Sequence, residues 1–168
     1  MSAGLDTAAA SFRATLAELG LSGDEPELGD AARLGQRAAL VAAAGAMWRG
    51  QLGPLLDMRQ AKDLLGVSSR QAVHDLIQRR RLLAVSTEDG RTLIPLFQFT
   101  ESGRPYEAVA TIVRVFAEVD ATGWTIASWL TTPSAELDQH TPIAWLKAGR
   151  DLDLAIAAAR AAAAPLGW

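Results

Sequence analysis

The stretch DMRQAKDLLGVSSRQAVHDLIQRRR, Asp57–Arg81, decides the fold of this chain. Asp57 is a side chain suited to capping a short helix over Met58–Leu65, with Ala61, Leu64 and Leu65 on one side and Gly66 placed to end it in the left-handed conformation. Val67 is a connector, and Ser68 caps a second helix over Ser69–Arg80 whose Ala72, Val73, Leu76 and Ile77 form an inner stripe. Helix, short glycine turn, helix is the helix-turn-helix arrangement. Leu82–Ser86 then reads as a strand, Glu88-Asp89-Gly90 as a turn and Arg91–Ile94 as the returning strand up to Pro95. The expected unit, over residues 55–100, is a winged helix-turn-helix with one β-hairpin.

On the N-terminal side, Phe12, Leu16 and Leu19 fall at helical spacing over Thr7–Leu19, with Gly20 ending the helix and Gly23–Pro26 breaking the chain. A second helix after Asp30 places Leu34, Ala38, Val41, Gly45 and Trp48 on one stripe, and Gly50–Pro54 closes the segment. A helical pair over residues 1–54 has too little core to stand alone, so the stripe suits packing or contact with a second copy, making a homodimer the expected assembly.

On the C-terminal side, Leu96–Phe99 reads as extended and apolar, and Glu101–Gly103 as a turn. Pro105 suits a first helical turn, and Val109, Ile112, Val113, Phe116 and Val119 form an inner face. Gly123 breaks that helix. Short helices over Trp124–Leu130 and Pro142–Ala148 follow, the second ended by Gly149; Asp151 caps an alanine-rich helix reaching Ala164. Trp124, Trp129 and Trp145 recur on these helices as expected of a small core, completing a compact helical domain over residues 101–168. The fold class is mostly α.

Composition narrows the function. Hydrophobic residues make up 49% and charged residues 21% of the 168, near the globular average. No apolar run reaches the roughly 20 residues that span a bilayer, and the first residues lack a secretory pattern, so the expected location is cytoplasmic without membrane contact. Cysteine is absent and the two histidines, His74 and His140, are far apart, which leaves no expected metal site. The net charge of −3 hides a basic middle: residues 58–91 carry +3 and each flank −3. Phosphate neutralisation by lysine and arginine drives nucleic-acid affinity, so DNA would be met through the middle.

In a helix-turn-helix the second helix puts its N-terminal residues on base edges. Here these are Ser68, Ser69, Arg70, Gln71 and His74. Arg70 suits guanine O6/N7 and Gln71 adenine N6/N7; Arg79, Arg80 and Arg81 at the helix end, and Arg91 in the wing, suit phosphates. The alternative for the arginine triplet is a solvated complement to the helix dipole. No phosphate loop, nucleophile elbow, dinucleotide fingerprint or zinc-protease motif is present, and Asp138 with His140 has no nucleophile beside it, so neither an enzyme nor a cofactor is expected.

The residues Leu64-Leu-Gly-Val-Ser68 through His74-Asp-Leu76, with Leu82-Leu-Ala-Val85 and Gly90-Arg91, resemble the MerR/excisionase-type winged helix. From roughly Ser102 the chain resembles the toxin-binding domain of Xre/MbcA/ParS-type antitoxins, through Trp129-Leu-Thr-Thr-Pro133, Leu137-Asp138, Thr141-Pro-Ile-Ala-Trp-Leu146, Gly149 and the closing helix. The resemblance implies a type II antitoxin that represses its own operon and neutralises a RES-domain toxin by contact. It maps the toxin-facing candidates onto Trp145, Leu146, Lys147, Gly149, Arg150, Leu166 and Trp168. Many such antitoxins carry an all-helical DNA-binding domain instead of a winged one, so no DNA-reading residue is transferred from them. The expected function is therefore a DNA-binding antitoxin. The alternative is a stand-alone transcriptional regulator whose C-terminal domain serves assembly or ligand sensing, and an adaptor that contacts only proteins is a third class.

Overall fold

Residues 2–18, 35 and 50–167 are described by the computed structural model. The helix expected after Asp30 with its stripe, the break at Gly20 to Pro26, and Trp168 lie outside the described residues. Helix α1 runs over Ser2–Glu18, five residues earlier than the apolar spacing predicts, because nothing between Ser2 and Thr7 stops a helix. It belongs to a unit separate from the rest of the described chain. Its Phe12 is exposed and Leu16 half-buried.

The remaining elements are β1 (Leu55–Leu56), α2 (Met58–Leu65), α3 (Arg70–Gln78), β2 (Val85–Ser86), β3 (Thr92–Pro95), α4 (Glu107–Ala117), α5 (Gly123–Thr131), α6 (Pro142–Lys147) and α7 (Leu152–Ala163). Single turns of 3₁₀ helix cover Leu96–Gln98, Ala135–Leu137 and Ala164–Leu166. The protein is mostly α with a small antiparallel sheet in the order β1-β3-β2. Leu55 pairs with Pro95 and Leu56 with Ile94 on one side; Val85 pairs with Leu93 and Ser86 with Thr92 on the other. The expected hairpin is thus joined by a third strand, too short to show a period of its own.

This sheet divides two cores. Alternate residues of an extended chain point to opposite faces. Leu56, Leu82, Ala84 and Ile94 pack with Ala61 and Val73 of α2 and α3, while Leu55, Leu83, Val85 and Leu93 pack with the C-terminal helices. The larger core is lined by Val109, Ile112, Val113 and Phe116 of α4, Ile126, Ala127 and Leu130 of α5, and Ala155, Ala158, Ala159 and Ala163 of α7. Alanines on the inner face of α7 let it lie close against α4, since the separation of packed helices follows the side chains between them.

Several boundaries differ from the expectation, for identifiable reasons. Leu96–Gln98 is a 3₁₀ turn and not an extended run, because it carries the Gln98 side chain inward. Gln98 is 1% exposed; its Oε1 accepts from Leu83 N–H at 2.8 Å, and its Nε2 donates to Leu83 C=O at 2.8 Å and to Pro95 C=O at 3.0 Å. Pro105 is not in the first helical turn: it bridges to Phe99, and Tyr106 donates its N–H to Gln98 C=O at 2.9 Å before α4 begins. The strand expected over Leu82–Ser86 shrinks to its last two residues, since Leu83 pairs with the Gln98 amide and not with β3.

Gly123 is the first residue of α5, capped by Thr122, and not a break without a role. A Cβ there would sit 1.9 Å from Ala84 C=O, so only glycine lets α5 approach β2 this closely. The neighbouring Trp124 seals the same contact by donating Nε1–H to Ser86 C=O at 2.7 Å.

Gln98→Leu keeps the volume but orphans the Leu83 N–H and C=O. Each buried group left unpaired costs about 1–3 kcal/mol. Urea denaturation should show a lowered midpoint with an unchanged slope; an unchanged midpoint contradicts the role assigned to Gln98.

Candidate nucleic-acid interface

Asp57 caps α2 as expected, accepting from the Arg59 and Gln60 N–H groups while Gln60 Oε1 accepts from Asp57 N–H, a complete capping box. Gly66, at φ 67°, ends the helix. The cap of α3 is Ser69 and not Ser68: Ser69 Oγ accepts from Ala72 N–H at 3.2 Å, and the helix starts at Arg70. Two serines in succession satisfy the same pattern, and the connector simply runs one residue longer. Ser68 is exposed in that connector.

At 100° per residue, Arg70, Gln71, His74, Asp75 and Gln78 fall within an arc of about 140° on α3, and Ala72, Val73, Leu76 and Ile77 fill the opposite arc. All five of the first group are exposed, Val73 is buried and its three companions are half-buried. The inner stripe locks onto β3 and the wing segment through Leu82 and Ile94, so the polar arc is presented on a rigid helix. Gln71 Nε2 donates to Asp75 Oδ1 at 2.9 Å along this arc.

The arginines at the end of α3 do not continue the helix. Arg79 is its cap; Arg80 adopts φ 56°, and Arg81 and Leu82 both donate N–H to Leu76 C=O, turning the chain toward the sheet. A left-handed arginine costs about 1–2 kcal/mol where glycine is the usual occupant. Arg81 pairs with Glu107 Oε2 at 3.4 Å, and Glu107 Oε1 also holds Arg114 at 3.2 Å. Among the described residues Arg70, Arg79 and Arg80 make no ion pair, which leaves them as the available cations of this face.

The wing tip is differently charged from the expectation placed on Arg91. Thr87 and Arg91 close the turn through Thr87 N–H to Arg91 C=O at 2.9 Å, and Gly90 takes φ 77°. Arg91 Nε donates to Asp89 at 2.7 Å and Thr87 donates its hydroxyl to the same carboxylate. These bonds, the Thr87 hydroxyl foremost, hold the exposed Asp89 carboxyl below the usual range. With Glu88 beside it, the tip carries two carboxylates against one guanidinium, so the charge of Arg91 is offset there while its Nη groups stay free to donate.

The toxin-facing candidates fall on the helices across the sheet. Trp145 and Leu146 are buried, 6% exposed each, and the Trp145 indole donates to Asp151 C=O at 2.8 Å; both are core residues of that layer. Lys147, Gly149, Arg150 and Leu166 are exposed. Lys147 lies over the Tyr106 ring and Arg150 over the Trp145 ring, 5.6 and 4.9 Å from the centroids. Trp129 is half-buried against Phe116, and Trp124 is half-buried on the wing segment. Among the described residues no group of His, Cys, Asp or Glu side chains could hold a metal ion, and no helix is long and apolar enough to cross a membrane.

Asp75 and Glu107 were not singled out by sequence reasoning. The first was legible as a Gln–Asp pair four residues apart on one helix; the second meets Arg81 only through the tertiary fold.

Arg80→Gly separates stability from binding. Relief of the left-handed arginine should raise stability by up to about 1 kcal/mol, since glycine pays back part of the gain in the unfolded chain. DNA affinity should fall at the same time. Thermal melts and fluorescence anisotropy on one preparation check both; loss of stability would contradict the strain, and unchanged affinity the phosphate role.

Comparison with protein-family models and with curated proteins gives no match. Among solved structures, the chain is similar to the one titled "NMR structure of Rv2175c", with 25% identity and a TM-score of 0.56 over 66% of this chain and 81% of that one.

Proposed function

We propose that this chain is a double-stranded DNA-binding regulator that reads its site through α3 and represses its own operon. One observation carries the reading. The polar arc of α3, holding Arg70, Gln71 and His74 and running on to Arg79 and Arg80, is exposed along its whole length, while the opposite arc is packed against the sheet. Such a division is general to surface helices, and what suits this one to a major groove is that it is the second helix of a helix-turn-helix and carries Arg70, Gln71 and His74 at its outward start. Arg70 pairs with guanine, Gln71 with adenine, and Arg79 and Arg80 hold phosphates. Ser68, Ser69 and Arg81 flank this set, and Arg91 joins it through the Nη groups that Asp89 leaves unbonded.

The second layer supports the antitoxin role that the distal residues resemble. Lys147, Gly149 and Arg150 are exposed ahead of α7, and Leu166, 43% exposed, lies past its other end; these would meet a RES-type toxin. Trp145 and Leu146 would shape that surface from beneath. A homodimer would pair two α3 helices on two half-sites. A stand-alone regulator would use the second layer for assembly or ligand sensing.

Binding of a random-sequence duplex should weaken steeply between 50 and 200 mM salt, with a log–log slope of at least about 2 for the two phosphate-facing arginines. Replacing Arg70 and Gln71 together by Ala should leave that slope in place and reduce preference for the selected site by about tenfold or more. Unchanged site preference contradicts the groove-reading assignment. For the antitoxin role, the tagged chain recovered from its own cells with nuclease present should bring down a protein that arrests growth when expressed alone; recovery of this chain alone favours the stand-alone regulator.

A further inference from the structure

We propose that Asp75 is a specificity-determining residue: its carboxylate takes one of the two Nε2 protons of Gln71 and so sets that side chain to read adenine in preference to guanine. The inference rests on α3 being the reading helix and goes beyond it, because Asp75 itself contacts no base in this arrangement.

The chemistry follows from donor counting. A glutamine amide offers two N–H donors on one nitrogen and one carbonyl acceptor, and an ionised carboxylate only accepts. The 2.9 Å bond from Gln71 Nε2 to Asp75 Oδ1 spends one donor. What remains outward is one N–H and Oε1. In the major groove adenine presents the acceptor N7 and the donor N6–H₂, which match that remainder; guanine presents two acceptors, N7 and O6. Without Asp75 the amide can turn both protons toward guanine. With Asp75 in place that option requires breaking the pair, and Oε1 otherwise faces guanine O6, acceptor against acceptor.

The placement supports this reading over a simple surface pair. Gln71 and Asp75 are both exposed, one helical turn apart, on the arc that also carries Arg70 and His74. A negative side chain on a face otherwise served by Arg70, Arg79 and Arg80 lowers attraction to every phosphate. Asp75 therefore trades general affinity for discrimination at the base that Gln71 meets.

The test uses the full chain and duplex DNA. Selection from a randomised duplex pool, run with wild type and with Gln71→Ala, identifies the position whose base preference depends on Gln71. Anisotropy with two duplexes differing there by adenine or guanine then reads the preference. Wild type should favour adenine by about tenfold, and Asp75→Ala should reduce this to within about threefold while binding random duplexes more tightly. Asp75→Asn, whose carbonyl still accepts from Gln71, should keep the adenine preference and still show the tighter random binding. Asp75→Ala with an unchanged preference overturns the proposal and leaves Asp75 as a charge alone. If wild type binds no duplex, or Gln71→Ala alters no position, the reading of α3 fails and the proposal falls with it. Circular dichroism of each variant confirms folding, which an exposed position leaves intact.

Discussion

The amide of Gln98, bonded to both backbone groups of Leu83, holds the segment between α3 and the wing in place. A side chain here does what a neighbouring strand would do in a longer sheet. Because the two bonds fix Leu83, Leu82 on one side and Leu83 on the other drop into different cores. The third bond, to Pro95 C=O, ties the end of β3 to the same point. The helix-turn-helix and the C-terminal helices thus share one thin wall, in which each two-residue strand depends on contacts from both faces.

The second constraint on that wall is the approach of α5. Gly123 brings the helix start against Ala84, and Trp124 bonds the next turn of the wing at Ser86. Glu107 makes a parallel connection from α4 to Arg81 at the exit of α3. These are the physical links between the layer that carries Arg70 and Gln71 and the layer that carries Lys147 and Arg150.

What was legible in the sequence was local. Asp57 and Gly66 announce the ends of α2 because caps are made by residues within a turn of one another, and the stripe Ala72, Val73, Leu76 and Ile77 announces the buried side of α3 because its period is that of the helix. Asp151 announces the start of α7 for the same reason. What was not legible depends on distant partners. Leu55–Leu56 is a strand only because β3 lies beside it, and Gln98 turns inward only because Leu83 waits there. Gly123 reads as a helix break until Ala84 is seen behind it. For the site, the polar arc and the place of Trp145 in the small helical core were legible from periodicity, whereas the pairing of Arg81 with Glu107 and of Arg91 with Asp89 was not, nor was the stacking of Arg150 over the Trp145 ring.

The claim at the centre of this account is that DNA meets the outward arc of α3 and the chain that follows it. The most direct measurement is a titration of isotope-labelled protein with a random-sequence duplex at 50 mM salt, following backbone amide signals residue by residue. The account predicts shifts concentrated at residues 69–81, with smaller ones at residues 87–91 around Arg91, and little change along α6 and α7. Shifts centred on α5, α6 or α7, or none anywhere at this salt concentration, would contradict it.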